Sequence, residues 1–144
     1  MKKILLLRQG EVEDYLLFLQ EVEEEYTYQQ FENDSRIFTR SIRFLQVTIE
    51  YIFELGAYIV LEEEDIKFRS FNRVVEKLSG RDLMSARELD TLQSAVDFRN
   101  LLVDIYMDID PGLVFDFLEN VFELKRILKI FIEHIIRNDI FTYR

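Results

Sequence analysis

Residues 97–108 hold the side chains whose types and spacing could take part in chemistry. The stretch contains Asp97, Arg99, Asp104, Tyr106 and Asp108. On an ideal helix Arg99 and Tyr106, seven positions apart, share one face, whereas Asp104 lies about 140° around the axis from Arg99. The segment therefore forms no site on one helix alone: it needs a second protomer, or it is not a site.

The types and spacing of these residues are compatible with several roles. Carboxylate oxygens suit Mg²⁺ or Mn²⁺, so the three aspartates are candidates for a hard-cation site. Acidic stripes on helices are more often solvated, and we expect no metal and no cofactor. For Arg99 the simple alternative is a salt bridge inside the fold, to Glu50 or to Asp97, and for Tyr106 it is a packing role.

The most basic local surface consists of Arg36, Arg40 and Arg43, at the spacing i, i+4, i+7 of one helix face. Glu50 and Glu54 continue this row. Because oppositely charged residues on one helix face attract each other, we expect the arginines to be used in pairs within the helix.

The remaining composition excludes several classes of site. There is no cysteine, hence no disulfide and no thiolate metal site. We find no glycine-rich phosphate loop, zinc-protease helix motif or nucleophile elbow. The single histidine, His134, lies outside the 97–108 segment and is expected near an exposed helix C-terminus, with no part in catalysis.

The formal charge is −10, from 28 acidic and 18 basic residues. An acidic chain binds RNA poorly by charge alone, so any RNA contact requires a local basic cluster. The apolar run after Lys3 stops at Arg8, too short for a signal peptide, and no uncharged run is long enough to cross a membrane. We expect a soluble, cytoplasmic protein.

The elements that must position these residues are helices, because one proline and four glycines leave few breakers. We predict one domain, residues 1–144, folded as an all-α antiparallel bundle of about five helices. The predicted helices span residues 11–31, 36–61, 71–78, 85–108 and 111–137. Ser85 with Glu88 forms a capping box, and Asp110 is an N-cap followed by Pro111.

In that frame, residues 98–106 resemble the motif F-R-N-x-L-V-H-x-Y of the HepT-like branch of the HEPN family. The matching positions are Arg99, Asn100, Leu102, Val103 and Tyr106. Asp104 stands where the family has its histidine. Residues 43–56 resemble the family's second helix, and the helix order is similar from Lys3 to Ile136, nearly the whole chain.

The resemblance implies a homodimer whose motif helices pack together, with Arg99 and the residue at position 104 lining a cleft, Asn100 and Glu50 in support, and metal-independent cleavage of RNA. It also implies a MntA-type nucleotidyltransferase antitoxin that attaches AMP to Tyr106. A histidine near pKa 6.5 takes the ribose 2′-OH proton at neutral pH. An aspartate near pKa 3.9 is a weak base, so the substitution impairs this chemistry.

Two further functions remain as alternatives. The first is a non-catalytic helical dimer that binds a protein partner, which the absence of a neighbouring nucleotidyltransferase gene would favour. The second is a nuclease that uses Asp104 with a metal ion, whose activity EDTA would abolish.

Overall fold

A computed structural model describes residues 5–60, 70–104 and 109–142 of the chain, and the side chains of residues 5–60, 70–102 and 109–138. Every regular element in these ranges is helical, which confirms the predicted all-α fold class. The elements are α1 Gln9–Glu25, α2 Tyr28–Asn33, α3 Ser35–Val60, α4 Phe71–Ser79, α5 Ala86–Asp104, α6 Pro111–Phe117, the 3₁₀ turn Leu118–Asn120 and α7 Val121–Thr142. None of the described helices is both long and apolar enough to cross a membrane.

Helix α3 lies at the centre, in contact with each of the other α-helices named above. Leu45, Ile49, Ile52 and Gly56 are buried along one face of α3, at alternating spacings of four and three that are typical of helices in a bundle. The second half of α3 is buried on its other sides as well, at Tyr51, Phe53 and Leu55 among others. Neighbouring helices therefore enclose α3 instead of covering one stripe of it.

Helices α1 and α3 run antiparallel. The Tyr15 ring stacks on Phe44 with ring centroids 4.0 Å apart, near the middle of α1. At the other end of the pair, the Tyr51 hydroxyl donates a hydrogen bond of 2.6 Å to the carbonyl oxygen of Leu5. The chain just before α1 thus meets the second half of α3, while the middle of α1 meets its first half, as the predicted antiparallel packing requires.

Two predicted helices are interrupted. The first breaks at Tyr26 because the hydroxyl of Thr27 accepts a hydrogen bond from the Gln30 backbone N–H, while the Gln30 side chain accepts one from the Thr27 N–H. This capping box starts α2 as a separate helix. The last predicted helix is interrupted by the 3₁₀ turn at residues 118–120.

The interruption of the last helix leaves one apolar stripe running through residues 114–135. All members of that stripe are buried: Val114, Phe117, Val121, Leu124, Leu128, Phe131 and Ile135. The predicted caps are also present. The Ser85 hydroxyl accepts from the Glu88 N–H at 3.2 Å, the Glu88 carboxylate accepts from the Ser85 N–H at 2.8 Å, and Asp110 caps α6.

Candidate functional site

Arg99 is held at the edge of the core by the residues on either side of it in α5. Phe98 is buried and stacks on Phe117 with ring centroids 4.2 Å apart, and Leu102 is 4% exposed. These contacts fix the rotation of α5 about its axis. Arg99, half-buried, consequently faces the start of α4.

The guanidinium of Arg99 lies over the ring of Phe71, with Cζ 4.7 Å from the ring centroid. The Phe71 ring in turn stacks on Phe53 of α3, at 4.4 Å between centroids and 11° between planes. A cation over an aromatic face is attracted by the ring's electron density, so the three side chains form one stack. The stack fixes Arg99 through α4 and α3.

No carboxylate neutralises Arg99 within the described part of the chain. The salt bridge considered above, to Glu50 or Asp97, is not formed there. Asp97 instead accepts a hydrogen bond from Gln93 at 3.2 Å, one turn away on α5. The Nε atom of Arg99 is buried and has no hydrogen-bond partner. A half-buried positive charge is therefore left without a counter-charge among these residues.

A cavity of about 290 Å³ opens beside this guanidinium. Its lining residues come from the start of α4 and the middle of α5: Ser70, Phe71, Asn72, Val96, Arg99 and Asn100. The Ser70 hydroxyl accepts a hydrogen bond from the Arg73 N–H at 3.1 Å and caps α4. The cavity thus combines a guanidinium, two side-chain amides and a helix N-terminus, all of which favour an anion.

The predicted site residues are only partly brought together. Arg99 and Asn100 line the same cavity, whereas Glu50, half-buried on α3, does not. Asp104 is the last described residue of α5, five positions beyond Arg99 and so about 140° around the helix from it. Its side chain, and the whole of Tyr106, lie outside the described residues.

The hard-cation site suggested for Asp97, Asp104 and Asp108 is not tested, because Asp108 and the Asp104 side chain lie outside the described residues. Within the described ranges no group of three or more acidic or histidine side chains has an arrangement that could hold a metal ion.

Three residues of this site were not predicted from the sequence: Ser70, Phe71 and Asn72. Ser70 carries a recognisable signal as an N-cap before the helix that was predicted to begin at Phe71. No pattern along the chain shows that this particular helix start lies against Arg99.

Arg36, Arg40 and Arg43 are exposed along the first turns of α3. The expected pairing with glutamates of the same helix is not found in the described structure: Glu54 lies 3.9 Å from Arg8 instead, and none of the three arginines forms an ion pair there. The three arginines border a groove of about 540 Å³ with Phe44, Thr39 and Ser35.

His134 lies in the interior of α7 and is half-buried, whereas an exposed place near the helix end was expected. Its ring nitrogen Nε2 is 2.7 Å from Nδ2 of Asn138. Burial, together with the positive charges of Arg81 and Arg137, lowers the pKa of His134 below its ordinary value. No element brings it beside Arg99 in the cavity.

Comparison with protein families gives one match relevant to this site. The profile of the family described as "Ribonuclease HepT-like" matches residues 12–135, a range that contains α1 from its fourth residue, all of α5 and most of α7. Comparison with curated proteins and with solved structures gives no match. The family match covers most of the chain and includes Arg99 with the elements that hold it. The chain therefore belongs to the ribonuclease HepT-like family.

Proposed function

We propose that this chain is a HepT-like protein of a toxin–antitoxin pair that binds an RNA phosphate at Arg99, with cleavage weakened by Asp104. The observation that carries the proposal is the guanidinium of Arg99, stacked on Phe71 at 4.7 Å, facing a cavity and lacking a counter-charge among the described residues. Arginine presents paired N–H donors that match two phosphate oxygens. Family membership supplies the link from phosphate to RNA.

The reaction that the family carries out on RNA needs a proton acceptor besides the arginine. The ribose 2′-oxygen loses its proton and attacks the adjacent phosphorus, and the 5′-oxygen of the next nucleotide leaves with a proton. A histidine is a good acceptor at neutral pH, whereas an aspartate is ionised but weakly basic. Asp104 also adds negative charge where the phosphate approaches. Phosphate binding at Arg99 without efficient cleavage follows from this combination.

The proposed working form is a homodimer. Position 104 lies about 140° around the axis of α5 from position 99, so two residues at these positions of one helix do not share a face. In a dimer, Asp104 of one protomer reaches a phosphate held by Arg99 of the other. Because Arg99 and Asn100 of one chain line one cavity, each dimer carries two such sites.

The proposed regulator is a nucleotidyltransferase antitoxin of the MntA type, with Tyr106 as the acceptor of AMP. This part rests on family membership and on the presence of a tyrosine at that motif position. Transfer would join the AMP phosphorus to the tyrosine oxygen and release pyrophosphate from ATP. Mass spectrometry of the chain after incubation with such an enzyme and ATP would detect one added AMP, and Tyr106→Phe would remain unmodified.

The experiment that tests the function is cleavage of total RNA and transfer RNA by purified protein, with and without EDTA. We expect slow cleavage or none by the wild type, and faster, EDTA-insensitive cleavage by Asp104→His, because histidine restores the proton acceptor. Adding Arg99→Ala to Asp104→His should abolish the activity. Arg87→Ala, an exposed arginine earlier on the same helix, is the matched control and should leave it unchanged.

Silence of Asp104→His would refute the nuclease lineage of this site and leave the second candidate, a helical module that binds a protein partner. Wild-type cleavage that EDTA abolishes would instead identify Asp104 as part of a metal site. Loss of activity in Arg87→Ala as great as in Arg99→Ala would show that the arginine effect is not local to the cavity.

A further inference from the structure

The exposed arginines of α3 form a surface that the Arg99 site does not use. Arg36, Arg40 and Arg43 lie along one helix face and border a groove of about 540 Å³. The helical rise of 1.5 Å per residue spreads the three over about 10 Å. Phe53 is the residue of α3 that supports the Arg99 stack. Arg43 lies ten residues before it, which is about 15 Å along the α3 axis. The row is thus a separate surface.

The charges in this row are not balanced by the fold. No ion pair with any of the three arginines is present in the described ranges, and Arg40 instead lies over the Phe18 ring with Cζ 5.7 Å from its centroid. Glu11, one nearby carboxylate on α1, accepts a hydrogen bond from the Tyr15 hydroxyl. Three like charges within one helix face repel each other, which costs stability unless an anion lies across them.

Aromatic rings lie beside these charges. Phe44 lines the groove together with the arginines, and it packs against two rings of α1, stacked on Tyr15 at 4.0 Å and edge-on to Phe18 at 5.2 Å. Proteins that bind single-stranded nucleic acid combine a positive groove, which follows the backbone, with aromatic side chains, which pack against bases. An acidic peptide would contact the arginines but would make no use of the aromatic ring that borders the groove.

We propose that Arg36, Arg40, Arg43 and Phe44 form a second binding surface for a short single-stranded segment of RNA. The row presents three guanidinium charges, which can neutralise up to roughly three phosphates of one strand. A net charge of −10 prevents long-range attraction to RNA, so binding depends on these local contacts. The inference rests on the proposed function in one respect, that RNA is the ligand.

The test is fluorescence anisotropy with a labelled, 2′-O-methylated oligouridylate, which has no free 2′-OH and stays intact whether or not the protein cleaves RNA. The test variant is R36Q/R40Q/R43Q. The matched control is K125Q/K129Q/R137Q, which also removes three positive charges, but from exposed positions of α7. We expect the test variant to bind at least about tenfold more weakly, and its salt slope to fall by about 2 between roughly 50 and 200 mM salt.

The control should bind as the wild type does. Equal weakening by both triple variants, or an unchanged salt slope in the test variant, would overturn the proposal. The proposal would also be overturned if the wild type did not bind the oligonucleotide but bound a labelled polyglutamate peptide through the same arginines. The partner would then be an acidic protein. If the triple variant fails to unfold cooperatively in urea, R36Q/R43Q replaces it with K125Q/K129Q as its control.

Failure of this proposal and failure of the proposed function give different results. Binding that depends on the arginine row without cleavage by any variant leaves the second surface standing and removes the nuclease. Cleavage by Asp104→His that does not depend on the row leaves the nuclease standing and removes the surface.

Discussion

Arg99 combines a fixed position with an unbalanced charge. The Phe71 ring holds the guanidinium from one side, while the Nε atom is buried and has no hydrogen-bond partner among the described residues. A buried donor without a partner costs on the order of 1–3 kcal/mol. The free protein bears that cost, and a phosphate that accepts hydrogen bonds from this guanidinium relieves part of it. This relief is one reason why the proposed phosphate would bind at Arg99.

The contact between Arg99 and Phe71 should be measurable as a coupling in stability. In a double-mutant cycle of Arg99→Met and Phe71→Leu, followed by urea unfolding, we expect a coupling of about 0.5–1 kcal/mol, because the two side chains lose one shared cation–aromatic attraction. A parallel cycle of Arg99→Met with Asn72→Ala tests a residue of the same cavity and should give a coupling near zero. A zero value in the first cycle would contradict the stack.

The site could be predicted from sequence only where its residues are neighbours along the chain. Arg99 and Asn100 belong to one short motif, and both line the cavity. Phe71 lies 28 positions earlier and comes beside Arg99 only through the packing of α4 against α5. The alternative use of Arg99, a salt bridge to Glu50 or Asp97, is not found among the described residues, where an aromatic ring lies against the guanidinium instead.

At the scale of helices, α3 is the element on which the site depends. It contacts the other α-helices and carries Phe53, against which Phe71 stacks. Its one glycine, Gly56, lies beside both α4 and α7. A Cβ added at Gly56 would lie 3.1 Å from a methyl carbon of Val74 and 3.3 Å from the Phe131 ring. The absence of a side chain there permits three helices to meet.

Replacing Gly56 with alanine should therefore destabilise the protein. The gain in helix propensity, about 1 kcal/mol, is opposed by overpacking of about 1–3 kcal/mol against a stiff valine and a buried ring. We expect a net loss of about 1 kcal/mol in the free energy of unfolding, measured in urea. Gly10→Ala on α1 is the control, because a Cβ added there would meet no atom within 4 Å. This substitution should raise the free energy of unfolding by up to about 1 kcal/mol. Stabilisation by both substitutions would contradict the close approach.

Helix order and the caps at Ser85 and Asp110 follow from local patterns, so the sequence predicts them well. The interruptions of the first and last predicted helices do not follow from such patterns. The Thr27–Gln30 capping box has a recognisable sequence pattern, but the apolar residues Tyr26 and Phe31 continue through it and suggest one helix. The 3₁₀ turn at residues 118–120 keeps the buried stripe in register, so hydrophobic spacing gives no sign of it.

For the whole molecule, the dominant property is acidity. A protomer carries a formal charge of −10, and a dimer carries twice that, −20. Two such protomers repel each other over the distance that salt leaves unscreened. A dimer must then be held by apolar contact, and large apolar side chains are available on the described surface, for example Leu17 at 53% and Phe122 at 61% exposure.

Sedimentation velocity should show a dimer at micromolar concentration, and its dissociation constant should fall as salt is raised, because screening removes like-charge repulsion while leaving apolar contact intact. A monomer at every salt concentration would refute the dimer and, with it, a site shared between protomers. A dimer that salt weakens would point to association through opposite charges, for which the arginine row of α3 and the glutamates of α1 are the natural partners.

The bond between the Tyr51 hydroxyl and the Leu5 carbonyl connects residues 46 positions apart. Ribosomes add about 5–20 residues each second, so this carbonyl is made about 2 to 9 seconds before its partner exists. During that interval Leu5, Leu6 and the apolar side of α1 have no α3 to pack against. Packing of this end of the protein during synthesis therefore waits until the central helix has been made.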